Sequence, residues 1–470
     1  MMKKYQIFHA LLTVLFCCMP LIEGCTSQSN TAPASTTATA GPQPTSAVWA
    51  AAWGNSPENS FQSATNSGGS EQSFRMLFYP TLSGTEERLH FSNFFGTTPV
   101  TIGAARLSIS PEDGSAAVDP SHDVAVTFGG ASSVTIPAGT IITSDPVRLT
   151  YSFGQRLAVS MYVKGTFAPL TQHNSPVMTN FETPVNAGNT TTDTAGTSFS
   201  GQTTEWYLLS GMDVLGAYQG TVVLFGSSSI DGHNSNTGDT NSYPTANPII
   251  PSQDNDLPSD WLARQLHAAG YQLGVVNAGV PNDAAGPNTE NTPAFGTQDG
   301  IDRLNRDVLQ QTNVKAVVIY LGSIDIRSAD CKLAPVVESS LTQIIAMATQ
   351  AGVRVVLATL PPSTPCINSA SVNFGPSPTP ADPYGGEGDP PTNGGMVQRN
   401  LVNAWIRSTA VNLPGVVGIA DFDKVLADPA HPDFMLPNLN SGDNFHPNGV
   451  GYGVQSGAIP LNVLLAPASN

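Results

Sequence analysis

The sequence of 470 residues contains few charged side chains. Charged residues make up 11% of the chain, and 18 lysines and arginines stand against 35 aspartates and glutamates, which gives a formal net charge of −17. A chain this poor in basic residues cannot neutralise a row of phosphates, so the composition excludes nucleic acid as a partner and disfavours binding to anionic membrane surfaces. The hydrophobic share of 40% is close to that of ordinary globular proteins, which excludes a disordered chain.

Cysteine is also scarce, and three of the five cysteines lie near the front of the chain. Two lysines followed by an apolar run predict an export signal over residues 1–24. The signal ends in an aliphatic pair, a glutamate and Gly24-Cys25, which is similar to a bacterial lipobox, so we expect lipid attachment at Cys25. An ordinary secretory signal is the alternative. Both interpretations predict an exported protein, lipid-anchored at the cell surface or outer membrane in the first case and periplasmic or secreted in the second.

After cleavage of the signal and lipid attachment at Cys25, Cys331 and Cys366 are the two cysteines that remain free to pair. An oxidising compartment favours a disulfide between them, and two separate buried thiols are the alternative, because a sequence gives no distance. Cleavage removes two lysines and one glutamate, so 16 basic and 34 acidic residues remain. The acidity therefore belongs to the exported body.

Two regions follow an uncharged linker rich in Ser, Thr, Ala and Pro over residues 25–47. Residues 48–200 contain short alternating apolar runs separated by turn residues, which predicts a β-sandwich or jelly-roll accessory domain that ends in a polar loop. The runs cover residues 73–79, 87–95, 123–129, 132–139, 147–153 and 156–163.

Residues 201–470 alternate apolar β-branched runs with amphipathic segments, which predicts an α/β fold with a doubly wound parallel sheet. Ser259 and Gly270 are the predicted N-cap and stop of the first amphipathic helix. The predicted strands cover residues 221–225, 273–276, 314–321, 353–359 and 416–420, and the predicted helices cover 258–270, 299–311, 334–352 and 396–410. In such a sheet, ligands bind beyond the carboxyl ends of the strands.

Residues suited to ester chemistry lie at these predicted strand ends and near the C-terminus. Ser228 follows the first strand in a Gly-Ser-Ser-Ser turn, and Asp443 and His446 form an Asp-x-x-His pair. A serine hydroxyl needs a histidine to accept its proton, and that imidazole needs a carboxylate to fix its tautomer. The backbone N–H groups of Ser228 and Gly279 are candidates to bind the developing oxyanion, since glycine permits a close approach.

This arrangement resembles the SGNH (GDSL-type) hydrolase family. Residues 91–105, 126–139 and 144–151 are similar to the N-terminal β-domain of one bacterial branch of that family, and residues 300–311 and 441–452 to its catalytic half. The resemblance implies a flavodoxin-like sheet, with Ser228 as nucleophile, His446 as base, Asp443 as the triad acid and Gly279 as an oxyanion glycine. It also implies a serine esterase that removes short acyl groups from carbohydrates or small molecules without a cofactor.

Two positions depart from the family pattern. Ser227 stands where the family motif usually has Asp, and Ile324 stands where it usually has the Asn whose amide binds the oxyanion. Loss of one such donor typically costs about 10²–10³ in rate. Ser323 and Asn282 are candidate substitute donors. Because the whole triad is present, we expect an esterase with a weakened oxyanion hole.

The alternative function is a surface-anchored glycan-binding lipoprotein whose SGNH domain is weakened or inactive. In that case four aromatic residues, Trp49, Trp53, Phe94 and Phe95, would form a sugar platform, although such residues in a β-sandwich are more often core. We expect Asp325 to be a structural carboxylate that holds a loop. His233, His267 and His431 lack ligand-like spacing, so we expect no metal.

Overall fold

The fold was described from a computed structural model of the chain. The described residues are 44–59, 67–111, 114–174, 178–235, 255–287, 298–327, 332–363 and 394–465. The predicted signal, most of the predicted linker, and the three cysteines that carry the lipid and disulfide predictions (Cys25, Cys331 and Cys366) lie outside these residues.

The N-terminal half consists mainly of antiparallel strands, which fits the predicted β-domain. The strands are β1 (Val48–Gly54), β2 (Gly69–Phe78), β3 (Glu87–Asn93), β4 (Val100–Ile109), β5 (Asp123–Val126), β6 (Val134–Ile136), β7 (Thr140–Thr143), β8 (Leu157–Phe167), β9 (Gln172–Asn174), β10 (Asn180–Glu182), β11 (Gly201–Thr203), β12 (Glu205–Tyr207) and β13 (Leu209–Gly216). One sheet has the order β1-β13-β3-β7, and the other has the order β11-β10-β2-β8-β4-β5, with β6 also on β4. Strands β9 and β12 form a separate pair.

The two larger sheets share one hydrophobic core. Apolar side chains of β2 and β8, such as Met76 and Met161, belong to the same buried cluster as Leu89 and Phe91 of β3. Along the first part of β3, buried residues alternate with partly exposed ones, which directs one face of the strand toward that core, whereas residues 72–78 of β2 are buried on both faces.

One predicted strand, residues 147–153, is wrong. Val147 and Tyr151 form only isolated bridges, to Glu87 and Gly84. The backbone N–H of Leu149 between them donates to the carboxylate Oε2 of Glu87 at 3.1 Å. A side chain therefore satisfies a backbone group that a strand would have paired in a ladder.

Strand pairing also shows where the chain changes from one half to the other. Strands β11 and β13 follow the predicted boundary at residue 201, yet β11 pairs with β10, and β13 pairs with β1 and β3. The change comes between Gly216, where β13 ends, and Gly220, where the next strand begins. The division into separate domains stays a prediction.

The C-terminal half contains the parallel sheet that the apolar runs predicted. Its strands are β14 (Gly220–Gly226), β15 (Leu273–Gly279), β16 (Val314–Tyr320), β17 (Arg354–Ala358) and β18 (Val416–Ala420). The order β15-β14-β16-β17-β18 is the order of flavodoxin-like sheets, whose strands run 2-1-3-4-5. A two-stranded hairpin, β19 (Ala427–Asp428) with β20 (His431–Met435), lies outside this sheet.

Helices connect these strands. They are α1 (Ser228–Asp231), α2 (Pro258–Ala268), α3 (Gly300–Leu304), α4 (Ser323–Arg327), α5 (Ala334–Gln350), α6 (Gly394–Ser408), α7 (Phe422–Leu426) and α8 (Gly449–Gly457), and a π-helical turn, Asn305–Leu309, follows α3. Short 3-10 turns cover Pro120–His122, Ala410–Asn412 and Leu461–Val463. No helix within the described ranges is long and apolar enough to cross a membrane.

The predicted N-cap of α2 is wrong. Leu257, not Ser259, precedes the first helical residue, and its N–H donates to the Asp260 carboxylate at 3.0 Å. Pro258 occupies the first helical position, where a missing N–H costs nothing and the fixed φ favours a helix. The hydroxyl of Ser259 instead accepts a hydrogen bond from the Asn277 amide.

The two halves are in direct contact along β1 and the parallel sheet. Ala51 of β1 donates its N–H to the hydroxyl of Thr221 at 2.9 Å, and the Thr81 hydroxyl accepts the N–H of Val275 at 2.9 Å. A Cβ on Gly274 would lie 1.9 Å from the Ala51 carbonyl oxygen. Only glycine fits this approach, so β15 is shaped to contact β1.

Candidate active site

The predicted nucleophile lies on a tight turn at the carboxyl edge of the sheet. Strand β14 ends at Gly226, and the one-turn helix α1 begins at Ser228. Backbone N–H groups of Ile230 and Asp231 donate to the Ser227 carbonyl at 2.8 and 3.0 Å. The turn holds the Ser228 side chain at a site where it is 6% exposed.

The structure brings Ser228, His446 and Asp443 into one chain of hydrogen bonds. The Ser228 Oγ lies 2.8 Å from the Nε2 of His446, although the two residues are 218 positions apart in sequence. The Nδ1 of the same imidazole lies 2.5 Å from the Oδ2 of Asp443. This is the geometry in which a histidine accepts a serine proton while a carboxylate orients the ring.

The loop that carries the histidine is shaped by its own aspartate. The Oδ1 of Asp443 accepts the backbone N–H groups of Phe445 and His446, both at 2.8 Å. The Asp-x-x-His spacing therefore places the two side chains together by folding the loop around the carboxylate.

Both members of this pair have shifted pKa values. Burial lowers the pKa of His446, and the bond to Asp443, which raises it, only partly offsets that effect. Burial alone would raise the pKa of Asp443, but hydrogen bonds from His446 and from two backbone N–H groups hold it well below its ordinary value. At neutral pH the ring is therefore neutral and the carboxylate ionised, as a general base and its orienting partner require.

Two neighbours of the triad were not identified from the sequence. Asn234 donates from Nδ2 to the Oδ2 of Asp443 at 3.0 Å, so that oxygen is held from two sides. His233, for which the sequence predicted only that it binds no metal, places its ring centroid 4.7 Å from that of His446. The only available signal was their position a few residues after Ser228.

The predicted oxyanion role of Gly279 is not supported by the structure. Its N–H donates to the Oδ1 of Asn277 at 3.0 Å. A Cβ at this position would lie 2.1 Å from the Asp231 backbone nitrogen, so glycine is needed here for packing against α1. Glycine at this position therefore fixes the nucleophile helix, and the oxyanion role of Gly279 stays a prediction.

The loop after β15 carries Asn282, one of the two candidate substitute donors. Val280 donates its N–H to the Gly226 carbonyl at 3.0 Å, which ties this loop to the turn that carries the nucleophile. Asn282, two residues further on, is exposed and has a positive φ of 62°. Asparagine tolerates this left-handed backbone and carries an amide donor.

The turn after β16 is apolar where a donor was expected. Ile324 is buried in a small cluster with Ala284 and Phe445, directly beside the triad histidine. Ser323, the other candidate donor, is also buried, and its hydroxyl makes no hydrogen bond within the described residues.

Asp325 has the structural role that was predicted. Its Oδ2 accepts the N–H of Ala285 at 2.7 Å, and its Oδ1 lies 3.1 Å from the Lys332 ammonium. The carboxylate thus joins the loop after β15 to helix α4, which fixes the spacing between the two loops.

Arg303 of α3 is a second structural charge that the sequence did not reveal. Its guanidinium donates to the carbonyls of Gly226 at 2.7 Å and Ala278 at 2.8 Å, and to the Asp283 carboxylate at 2.7 Å. The side chain is 1% exposed. One buried cation therefore holds the ends of β14 and β15 together, which sets the nucleophile turn against the loop of Asn282.

The four aromatic residues weighed as a sugar platform do not form one. Trp53 is buried in the core against Phe78 and Trp206. Phe94 and Phe95 pack on the Arg306 guanidinium, and Trp49 packs on that of Arg88. Trp53, Trp49 and the Phe94–Phe95 pair therefore pack against three different sets of residues.

The C-terminal half of the chain matches the model of a known protein family. Residues 224–454 match the family model described as the GDSL-like Lipase/Acylhydrolase family. This match supports the SGNH assignment of that half and a carboxylic ester hydrolase. No curated protein matches the chain.

Several solved structures are similar to about half of the chain. A protein assigned to the G-D-S-L lipolytic family from Desulfitobacterium hafniense is 18% identical over 51% of this chain and 96% of its own, with a TM-score of 0.33. A carbohydrate acetylesterase from Sinorhizobium meliloti is 13% identical over 50% and 94%, with a TM-score of 0.34. The aryl esterase of M. smegmatis is 16% identical over 51% and 95%, with a TM-score of 0.34. These values are too low to bear on activity.

Proposed function

We propose that the C-terminal half hydrolyses carboxylic esters through an acyl-enzyme formed on Ser228. The observation that carries this proposal is the continuous hydrogen-bonded chain from the Ser228 hydroxyl through His446 to Asp443. The family match of residues 224–454 supports the same reaction class.

The steps follow from the geometry. His446 takes the Ser228 proton at Nε2 as Oγ attacks the ester carbonyl, and Asp443 stabilises the imidazolium that forms. The imidazolium then donates its proton to the leaving alcohol, which departs and leaves an acyl group on Ser228. Water, deprotonated by the same nitrogen, attacks the acyl carbonyl, and the acid is released with the serine restored.

The oxyanion is stabilised by the N–H of Ser228 and by the side-chain amide of Asn282. The tie between Val280 and Gly226 and the exposed position of Asn282 favour this assignment. Ile324 supplies no hydrogen bond, so the hole has fewer donors than the family pattern and turnover is correspondingly slow.

The substrates are short acyl esters of carbohydrates or small molecules. The nearly buried nucleophile and the low number of basic residues around the chain as a whole fit an uncharged ester better than a polyanion. The resemblance stated from the sequence supports the same class.

The experiment compares the purified protein with its Ser228→Ala variant on p-nitrophenyl acetate and butyrate. We expect p-nitrophenol release by the wild type and a loss of at least about 10³-fold in kcat for the variant. Ser227→Ala is the matched control, since its side chain makes no capping bond. Equal rates in the wild type and Ser228→Ala would contradict the proposal.

Export with lipid attachment at Cys25 belongs to the same proposal and rests on the sequence of residues 1–25. Cell fractionation of the wild type and a Cys25→Ala variant tests it. We expect the wild type in the membrane fraction and the variant outside it; retention of the variant on the membrane would contradict lipid anchoring.

A further inference from the structure

A buried ion pair joins the N-terminal half to the nucleophile helix, and the reaction steps above do not use it. The Nε2 of His173, in β9, lies 2.9 Å from the Oδ1 of Asp231, the last residue of α1. Both side chains are almost fully buried, at 3% and 4% exposure. Asp231 is three residues after Ser228, so this contact reaches the turn that carries the nucleophile.

The His173 ring is held on its other side as well. Its Nδ1 lies 2.8 Å from the carbonyl oxygen of Ser56, and Glu58 lies 3.6 Å away. Trp206 stacks on the ring with centroids 5.8 Å apart. Contacts from the N-terminal half therefore fix the ring in position and orientation.

Both ring nitrogens face oxygen acceptors, and only the doubly protonated ring can donate to two acceptors at once. Burial lowers the pKa of His173, but Glu58 and Asp231 outweigh burial and raise the pKa to about 9. The contact with Asp231 is thus a charge-assisted hydrogen bond, which is stronger than a bond between neutral groups, and it lies where water is excluded.

Helix α1 has four residues, and so short a helix has little stability of its own. Its C-terminal end is held from two directions, by the Asn277 amide on the Ile230 carbonyl at 2.8 Å and by His173 on Asp231. The same N-terminal segment also contacts Arg303, since the Ser56 hydroxyl accepts from its Nη1 at 3.3 Å. The N-terminal half thus contacts both groups that fix the nucleophile turn, which are the C-terminal end of α1 and the Arg303 guanidinium.

We propose that His173 is a positioning residue for Ser228, and that it makes the N-terminal half a working part of the esterase site. Through Asp231 it holds the one-turn helix in the orientation that places Oγ against the Nε2 of His446. This inference rests on the proposed ester hydrolysis.

The test uses two variants at position 173 and one control. Asn places its amide near the former Nδ1 and keeps only the bond to Ser56, whereas Gln extends to the former Nε2 and keeps the bond to Asp231. Thr81→Val is the control, because it removes a different buried contact between the halves, at Val275, without touching α1. The rate of Ser228 modification by a fluorophosphonate and the kcat and KM on p-nitrophenyl acetate are measured per folded protein, with the folded fraction taken from circular dichroism.

We expect His173→Asn to lower kcat and the fluorophosphonate rate by about 10- to 100-fold at nearly unchanged KM, because a small misplacement of a nucleophile is costly. His173→Gln should recover most of that loss, and Thr81→Val should stay within about twofold of the wild type. A His173→Asn variant that matches Thr81→Val, a loss confined to KM, or a Gln variant no better than Asn would each overturn the inference while the esterase proposal stands. A wild type that neither hydrolyses the ester nor reacts with the fluorophosphonate would overturn both.

Discussion

The turns after β14 and β16 lie at the same edge of the sheet and each opens a short helix, but their chemistry differs. The first carries Ser228, which His446 reaches from the C-terminal loop. The second carries Ile324, which packs on Ala284 and Phe445. In the proposed mechanism, nucleophile activation and oxyanion binding are therefore separable: the hydrogen-bonded chain for the first is complete, while one position that the family pattern uses for the second is buried among apolar residues.

Loss of the Asp443 carboxylate, which orients His446 against Ser228 of the first turn, has the largest expected effect. Asp443→Asn should lower kcat by about 10³–10⁴, because an amide cannot stabilise the imidazolium and favours the wrong tautomer. Asp325→Asn, beside the second turn, should lower the melting temperature by weakening the Lys332 contact, with a much smaller change in kcat. Ester kinetics and thermal unfolding of both variants check this, and an unchanged kcat in Asp443→Asn would remove Asp443 from the mechanism.

Restoring a donor to the second turn should raise activity. Ile324→Asn is expected to increase kcat by about 10- to 100-fold, since one oxyanion donor is worth about 10²–10³ when ideally placed. The substitution also buries an amide in an apolar cluster, so the melting temperature should fall. Ile324→Val is the control and should leave kcat unchanged; an asparagine variant with no gain would show that this position no longer faces the oxyanion.

Removing the side-chain amide of Asn282 tests its proposed role as the substitute donor to the oxyanion. Asn282→Gly keeps the left-handed backbone permissible but deletes the amide, and kcat should fall by about 10- to 100-fold at similar KM. A rate equal to the wild type would mean that the side chain of Asn282 does not donate to the oxyanion.

The smallest expected effect is on the pH profile. The pKa of His446 lies below its ordinary value of 6.5, with burial as the main cause and His233 and Arg327 as further ones. The base works when neutral, so the acidic limb of kcat/KM should lie below pH 6.5. His233→Gln removes one lowering influence and should move that limb to higher pH, by less than about one pH unit. A limb that moves to lower pH, or not at all, would contradict this influence.

The strands and side-chain pairs predicted best from the sequence are those that depend on residues close together in the chain. Apolar β-branched runs were sufficient for the five parallel strands, and the Asp-x-x-His spacing was sufficient for the pair of Asp443 and His446, because the loop folds around its own aspartate. Pro258 is a local signal for the start of α2, and it marks the first helical residue more reliably than the capping preference of Ser259.

The parts missed depend on contacts between distant segments. Asn234 meets Asp443 across 209 positions, and Arg303 meets the Gly226 carbonyl across 77. The failed strand at 147–153 depends on a Glu87 carboxylate 62 positions away from Leu149. None of these partners has a characteristic spacing, so tertiary structure alone reveals them.

The separation of 218 positions between Ser228 and His446 has a consequence for the timing of synthesis. Chains emerge from the ribosome N-terminus first, and contacts of long sequence separation form late. The segments that fix the nucleophile turn precede His446 in the chain, so they are made before the proposed general base. Under the proposed mechanism, a nascent chain therefore carries an unactivated serine until the segment with His446 has also emerged and folded against Ser228.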